Sequence, residues 1–162
     1  MANPLVLGTL TTLPNGPGTG TDNLTALPGA TALGLGVLDL SAAAVFDCLI
    51  APMRIKSGAT GTLAAGTFAV WVITSEDNAV WTDGISPTSA ADQSAKLATA
   101  VQACLIGVTV NATTYYTPEF SLLALLGFVP RYAAVVGQNL TGHALDTVAA
   151  SFYAKSSVTA YA

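Results

Sequence analysis

Charged side chains are scarce in this sequence. Asp, Glu, Lys and Arg make up 9% of its 162 residues, whereas hydrophobic residues make up 52%. An average soluble domain carries roughly 25% charged residues. A chain with so little charge cannot cover its surface with it, and an isolated monomer normally avoids large exposed apolar patches. We therefore expect much of the surface to be buried against copies of the chain or against a partner.

The length allows one hydrophobic core and is too short for two ordinary domains. We predict an extended N-terminal arm over residues 1–32, which have little periodicity and a dense Pro and Gly turn signal at 14–18, followed by one domain over residues 33–162. The arm is too apolar for a freely solvated tail, so we expect it to lie on another subunit or along its own domain; a disordered terminus is the alternative. The predicted assembly contacts of the arm are Leu5, Val6, Leu7, Leu10 and Leu13.

The remainder of the sequence has the pattern of an all-β domain. Short segments rich in β-branched and aromatic residues alternate with Gly, Pro, Asn, Asp and Ser, which predicts a single antiparallel β-sandwich or a barrel. The predicted strands are residues 33–40, 45–56, 67–74, 79–82, 102–110, 115–123, 132–139 and 148–161. Two other segments, 90–103 and 119–128, have some helical character. Residues 68–73 are apolar on both faces, so we expect the core to cover one face and another subunit to cover the second.

Several partner classes are disfavoured. Residues 57–75 carry no charge, but their glycines and threonines leave an apolar core far short of the ~20 residues that a spanning helix needs. The N-terminus lacks the basic region and the uninterrupted apolar region of a signal peptide. The net charge is −4 and the five basic residues are scattered, which disfavours phosphate contacts. We predict neither a membrane nor a nucleic-acid partner.

Groups that could carry catalysis are few. The chain has one His, two Cys and nine carboxylates, all dispersed, so we predict no enzyme, no catalytic residues, no cofactor and no metal. His143 lies in a turn signal, where a structural or solvent-facing role is favoured. Cys48 and Cys104 stand in apolar stretches and are expected to be buried thiols of a reducing compartment, with a single disulfide as the alternative.

The loop around Trp81 admits three interpretations. Its carboxylates are explained by turn chemistry, but a hairpin loop with carboxylates can also hold Ca²⁺, although the ordered spacing of an EF-hand is missing. An exposed aromatic ring beside carboxylates can alternatively contact a sugar. The candidate glycan contacts are Trp81, Asp77 and Asp83.

Part of the sequence resembles small virion proteins of tailed bacteriophages. The similarity lies in residues 70–74 (VWVIT), 75–78 (SEDN), 80–85 (VWTDGI) and 129–145 (VPRYAAVVGQNLTGHAL), and it extends roughly over 68–161. These are strand and turn residues without a catalytic signature. The resemblance implies a jelly-roll-like β-sandwich on the phage particle, as a capsid decoration subunit or as part of a head or tail appendage. It implies no residue with a catalytic role.

Together these observations predict a non-enzymatic virion structural protein, assembled in the host cytoplasm. The favoured form is a capsid decoration or cement subunit that attaches by apolar surface and by its N-terminal arm. Its expected partners are itself, as a homo-oligomer for which a trimer is one option, and a major capsid or other virion protein. The alternative is a fibre or tail-tip module that binds a host receptor or a glycan.

Overall fold

The computed structural model describes residues 5–12, 27–41, 45–50, 52–58, 66–89, 91–109, 113–146 and 153–159, with backbone alone for 5–12, 46 and 153–159. The described residues are mostly β. Their strands are β1 (Leu5–Thr12), β2 (Thr31–Asp39), β3 (Val45–Ile50), β4 (Arg54–Lys56), β5 (Gly66–Ser75), β6 (Val101–Val108), β7 (Thr114–Tyr116), β8 (Phe120–Ser121), β9 (Tyr132–Asn139) and β10 (Tyr153–Thr159). One short helix, α1, spans Leu122–Leu126.

The strands form two four-stranded sheets and one small sheet. The first sheet has the order β1-β10-β3-β8, the second has the order β2-β9-β5-β6, and β4 pairs with β7. Every pairing is antiparallel. The prediction of an all-β fold with antiparallel sheets is confirmed.

One core lies between the two larger sheets. Alternate residues of β5, namely Phe68, Val70 and Val72, belong to the same buried cluster as Cys48 and Ile50 of β3. This follows from strand geometry, because successive side chains point to opposite faces. The arrangement is sandwich-like, and it leaves Ala69, Trp71 and Ile73 on the outer face of the second sheet.

That outer face is covered by the chain itself. Trp81, Ile85 and Leu97, from the connection between β5 and β6, form a second buried cluster with Ile73 of β5 and Val136 of β9. The expectation that another subunit covers the second face of residues 68–73 is therefore wrong. The physical reason is that the long β5–β6 connection carries large apolar residues that fold back over the sheet.

Two predicted elements are wrong within this connection. Residues 79–82, predicted as a strand, lead into a short 3₁₀ turn, Thr82–Gly84, in which Asp83 and Gly84 take left-handed φ angles of 58° and 63°. Residues 90–103 are not helical where they are described. They contain the single 3₁₀ turn Ser94–Lys96, and β6 begins at Val101, as expected where β-branched residues oppose a helix.

Other boundaries differ in detail. The predicted strand 45–56 is two strands, with Pro52 in the break, and the predicted strand 115–123 ends in α1. Ser121 Oγ accepts a hydrogen bond from the N–H of Ala124 at 2.9 Å, and Gly127 ends the helix with a φ of 79°. No helix within the described ranges is both long and apolar enough to cross a bilayer.

The predicted arm, residues 1–32, contains β1 and the first two residues of β2. β1 pairs with β10, so this part of the arm lies on its own domain, which is one of the two places expected for it. Leu27 is buried, and its carbonyl accepts a hydrogen bond from the N–H of Leu145 at 2.9 Å.

Candidate assembly surface

The predicted contacts of the arm fall on an edge strand. Leu5, Val6, Leu7 and Leu10 lie in β1, whereas Leu13 is outside the described residues. Leu5 stands opposite Thr159 of β10, and the register shifts between Leu7 and Leu10. Among the described strands, β1 has a neighbour on one side only. Within the described part of the chain, one side of the β1 backbone at the end of the first sheet therefore has no partner strand.

Trp81 is a core residue. Its side chain is 7% exposed and belongs to the cluster under the β5–β6 connection. A ring that stacks on a sugar must present a face to solvent; Trp81 lines the grooves beside its loop but exposes only a small part of its surface to them. Its neighbour Val80, by contrast, is 74% exposed and borders a shallow groove of about 570 Å³ with Val37 and Pro87.

The two carboxylates near Trp81 hold their loops together. Asp77 Oδ1 accepts hydrogen bonds from the N–H groups of Val80 at 2.8 Å and Ala79 at 2.9 Å. Asp83 accepts one from the Thr99 hydroxyl at 2.5 Å and another from the Thr99 N–H at 2.6 Å. These bonds lower the pKa of both carboxyl groups. Turn chemistry thus accounts for both residues, and the described ranges contain no group of three or more His, Cys, Asp or Glu side chains suited to a metal ion.

Other carboxylates act in the same way. Asp92 Oδ1 accepts hydrogen bonds from the N–H groups of Ala32 at 2.8 Å and Ser94 at 2.9 Å, and the bond from Ala32 is the main reason that its pKa is lowered. Asp47 Oδ1 accepts from the N–H of Leu123, 76 residues along the chain, at 3.0 Å. Both carboxylates thus join segments that are far apart in the chain.

The polar side chains near His143 serve a buried turn. Asn139 is fully buried, and its Nδ2 donates to the carbonyl oxygens of His143 at 2.7 Å and Leu27 at 2.9 Å. Its Oδ1 accepts from the hydroxyl of Thr141 at 2.7 Å and from the N–H of the same residue at 3.1 Å. His143 contributes its backbone to this network, which places it in a structured turn as expected.

The two cysteines are free thiols. Cys48 is buried in the core, and burial together with the nearby charge of Asp47 raises its pKa to about 12. Cys104 is half-buried in β6, and burial also raises its pKa. A thiol is a nucleophile only as the thiolate, so these environments make both side chains poor nucleophiles.

The two edges of the second sheet differ. At the β2 edge, the N–H of Gln93 donates to the carbonyl of Ala32 at 2.8 Å, and the N–H of Ala32 donates to Asp92. Pro87 lies so close to Gly34 that a Cβ on this glycine would stand 2.2 Å from the proline carbonyl oxygen. The β5–β6 connection thus binds the outward backbone groups of Ala32 at the β2 edge and packs over the outer face of the sheet at Gly34.

The β6 edge, which we define as Val101–Val108, is open as far as the described residues are concerned. Among the described strands, β6 pairs with β5 and has no neighbour on its other side. Leu105 is 53% exposed and Val101 is 38% exposed. Sequence reasoning missed this surface, although one signal marks it: residues 97–117 contain no charged side chain.

A groove lined by apolar and threonine side chains adjoins the β6 edge. It has a volume of about 210 Å³, and its lining comes from the start of β6, the end of β5, helix α1 and the β5–β6 connection. Phe128, which follows α1, is 50% exposed at this groove, and Val101 belongs to both the groove and the edge.

Comparisons with protein-family models, with curated proteins and with solved structures found no match to this chain.

Proposed function

We propose that this chain is a non-enzymatic structural subunit of a bacteriophage virion, and specifically a capsid decoration or cement protein. It attaches by apolar surface and by its N-terminal arm, after synthesis in the host cytoplasm. The observation that carries this proposal is the open β6 edge with its exposed Val101 and Leu105 and the adjoining groove at Phe128. Apolar and unpaired surface of this kind is typical of proteins that are packed against other proteins.

The use of the carboxylates supports a non-enzymatic role. Asp77 and Asp83 are bound to backbone N–H groups of the β5–β6 connection, Asp92 is bound to the N–H of Ala32 in β2, and Asp146 forms an ion pair of 3.2 Å with Lys56. Acid and base chemistry instead needs titratable groups that converge on a cavity with pKa values tuned toward neutral pH. The described carboxylates with shifted pKa values are shifted in the opposite direction, away from neutrality.

The strand order supports a jelly roll as the finer description of the fold. Without the small sheet, eight strands remain, and in chain order they are β1, β2, β3, β5, β6, β8, β9 and β10. Numbered one to eight, they give the sheet orders 1-8-3-6 and 2-7-4-5, which is the connectivity of a jelly roll. This architecture is used by many viral capsid and lectin domains, so the order fits a virion subunit.

The position of β1 is compatible with attachment by the arm. As an outer strand of the first sheet, β1 presents one backbone edge that no described strand occupies. A particle protein or a neighbouring subunit can add to that edge by strand pairing. We propose that the arm lies on its own domain in the free chain and presents this edge to its partner on the particle.

The geometry of the Trp81 loop does not favour the glycan-binding alternative. A fibre or tail-tip module would require an aromatic platform, and Trp81, the leading candidate, is 7% exposed beneath its own loop. Asp77 and Asp83 use their oxygens on loop N–H groups and on Thr99. We therefore do not propose glycan binding for this loop.

The experiment is a binding assay with particles that lack the chain. The full chain, a variant without residues 1–26 and a control variant without residues 1–4 are each mixed with particles and sedimented. The long truncation stops before Leu27 because that residue is buried and holds Leu145. We expect the full chain and the short truncation to sediment with the particles and the long truncation to remain in solution.

Far-UV circular dichroism has to show that the truncated chain is folded. If it is not folded, a Leu7→Lys, Leu10→Lys variant of the full chain replaces it, because both positions lie in β1. Attachment by the arm is contradicted if the folded variants sediment as well as the full chain. Attachment as a whole is contradicted if the full chain itself stays in solution.

A further inference from the structure

We infer that the β5–β6 connection is a lid, which opens and closes over the outer face of the second sheet as one cooperative unit while both larger sheets stay folded. We define the lid as residues 76–89 and 91–100, the described part of that connection. The closed lid buries Ile73 and Val136 on the outer face of the sheet, and its opening exposes them to solvent. The inference is independent of the proposed role on a phage particle, because it concerns the fold of the chain alone.

The second sheet keeps its own core when the lid opens. Its inner face packs against the first sheet in one buried cluster, which includes Phe68 and Val70. The lid side chains Trp81, Ile85 and Leu97 belong to a different cluster, and the two clusters have no buried residue in common among the described residues. The described pairings of β2, β9, β5 and β6 involve no lid residue either. Opening therefore removes one cluster and leaves the other, which is how proteins open locally at a free energy below that of global unfolding.

Both ends of the lid leave the sheet at the same place. β5 ends at Ser75 and β6 begins at Val101, and Val72 pairs with Val101, so the two ends lie on neighbouring strands. The hydrogen bonds of Thr82 Oγ1 with the N–H and the carbonyl of Thr74, both 3.2 Å long, lie at this end as well. The lid can therefore move away from the sheet while β5 and β6 stay paired, and this end acts as its hinge.

The far side of the lid is fastened to β2, at the opposite edge of the sheet from β6. The N–H of Ala32 donates to Asp92 Oδ1 at 2.8 Å, and the N–H of Gln93 donates to the carbonyl of Ala32 at 2.8 Å. Pro87 packs against Gly34 of the same strand. Opening at the hinge therefore breaks these contacts with β2 together with the packing of the outer cluster.

The lid opens as a whole because its two halves are bound to each other. Side-chain hydrogen bonds join them, namely from Ser86 N–H to Gln93 Oε1 at 3.2 Å, from Lys96 Nζ to the carbonyl of Gly84 at 3.1 Å, and from the hydroxyl of Thr99 to Asp83 at 2.5 Å. Gln93 is buried, and its Nε2 donates to the carbonyl of Ala91 at 2.9 Å, so both ends of its amide are bound inside the lid. Contacts that depend on each other in this way are lost together rather than one at a time.

The test is native-state hydrogen exchange of the full chain, read at single amides by NMR in urea concentrations below the unfolding midpoint. The reporters of the lid are the hydrogen-bonded amides of Ala32, Ser86, Gln93 and Thr99. We expect them to share one opening free energy with a shallow urea dependence, because opening exposes less surface than unfolding does. The amides of β9, which is paired on both sides, should exchange by global unfolding only.

Two matched variants separate the lid from the main core. Ile85→Val removes a methylene group from the outer cluster, and Ile50→Val removes one from the inner cluster; both residues are buried. Ile85→Val destabilises the closed form alone, so it should reduce protection of the lid amides and of β9 by the same factor, roughly two- to tenfold. Ile50→Val destabilises the closed and the open form equally, so it should reduce protection in β9 alone.

Three results overturn the inference. If the lid amides have the same free energy and urea dependence as those of β9, the lid does not open separately. If the lid amides differ widely from one another, the connection frays piece by piece and is not a unit. If Ile50→Val lowers protection of the lid amides as much as Ile85→Val does, the two clusters unfold together.

Discussion

Replacing Trp81 with alanine should destabilise the chain strongly, because this side chain fills the space between the second sheet and the β5–β6 connection. Trp81 is 7% exposed and packs in one cluster with Ile73, Ile85 and Leu97. Truncation of a buried aromatic residue to alanine typically costs about 3–5 kcal/mol, through lost transfer free energy and the cavity that remains. Against a total stability of about 5–15 kcal/mol for a typical domain, this is a large fraction.

The assay is urea denaturation followed by far-UV circular dichroism. With an m-value of about 2 kcal/mol/M, a loss of about 3–5 kcal/mol lowers the midpoint by about 1.5–2.5 M. Val80→Ala is the matched control, because Val80 is the adjacent residue and is 74% exposed; its free energy of unfolding should change by less than about 0.5 kcal/mol. Equal midpoints for the two variants would refute the assignment of Trp81 to the core.

Three further outcomes are expected. Gly34→Ala should lower the melting temperature, because the new Cβ would lie 2.2 Å from the carbonyl oxygen of Pro87. Gly107→Ala should be tolerated, because no other atom lies within 4 Å of the position of its Cβ. Equal effects of the two substitutions would contradict this packing. Asn139→Asp should lower the free energy of unfolding by about 3 kcal/mol or more at pH 7 relative to the wild type. The reason is that a carboxylate oxygen would replace the amide that donates to the carbonyls of Leu27 and His143. The loss should be smaller at pH 4, where a protonated carboxyl can donate again. The pKa of Asp83 is lowered from 3.8 in the folded state, so its contribution to stability is complete above pH 3.8 and is lost as the pH falls through the lower, folded-state pKa. The melting temperature of the wild type should therefore decrease when the pH is lowered beyond about 4. The melting temperature of Asp83→Asn should decrease less steeply over the same pH interval.

The class of the fold was predictable because strand periodicity is local. Residues 132–139 and 67–74 were predicted as strands and are β9 and nearly all of β5, since β-branched residues between turn signals have few alternatives. The break at Pro52 was not predicted, because residues 45–56 were expected to form one strand, although its cause, the missing N–H of proline, is local.

The cover over the second sheet was not predictable in the same way. The apolar outer face of β5 correctly indicated cover on both sides, but a sequence does not show whether that cover comes from the same chain or from another. Trp81 illustrates the difficulty, because a tryptophan between carboxylates has the same pattern whether it lies in a core or on a binding surface. Whether the β5–β6 connection folds over the sheet depends on long-range hydrogen bonds, such as that from the N–H of Ala32 to Asp92. Such bonds form only in the tertiary fold and have no local sequence pattern.

The open β6 edge was missed for a related reason. Topology determines which strands lie at the edge of a sheet. No local sequence pattern indicates the order β2-β9-β5-β6. The absence of charge over residues 97–117 was visible, but it is equally typical of a strand buried at the centre of a sheet.

The most direct test of the proposed role is the copy number of this chain in purified phage particles, measured by quantitative mass spectrometry against the major capsid protein. A decoration subunit that closes gaps between capsid units should be present in a number equal to that of the capsid protein or in a simple fraction of it. A few copies per particle would contradict the decoration role and would move the chain to a fibre or tail appendage. Its absence from purified particles would contradict the virion assignment itself.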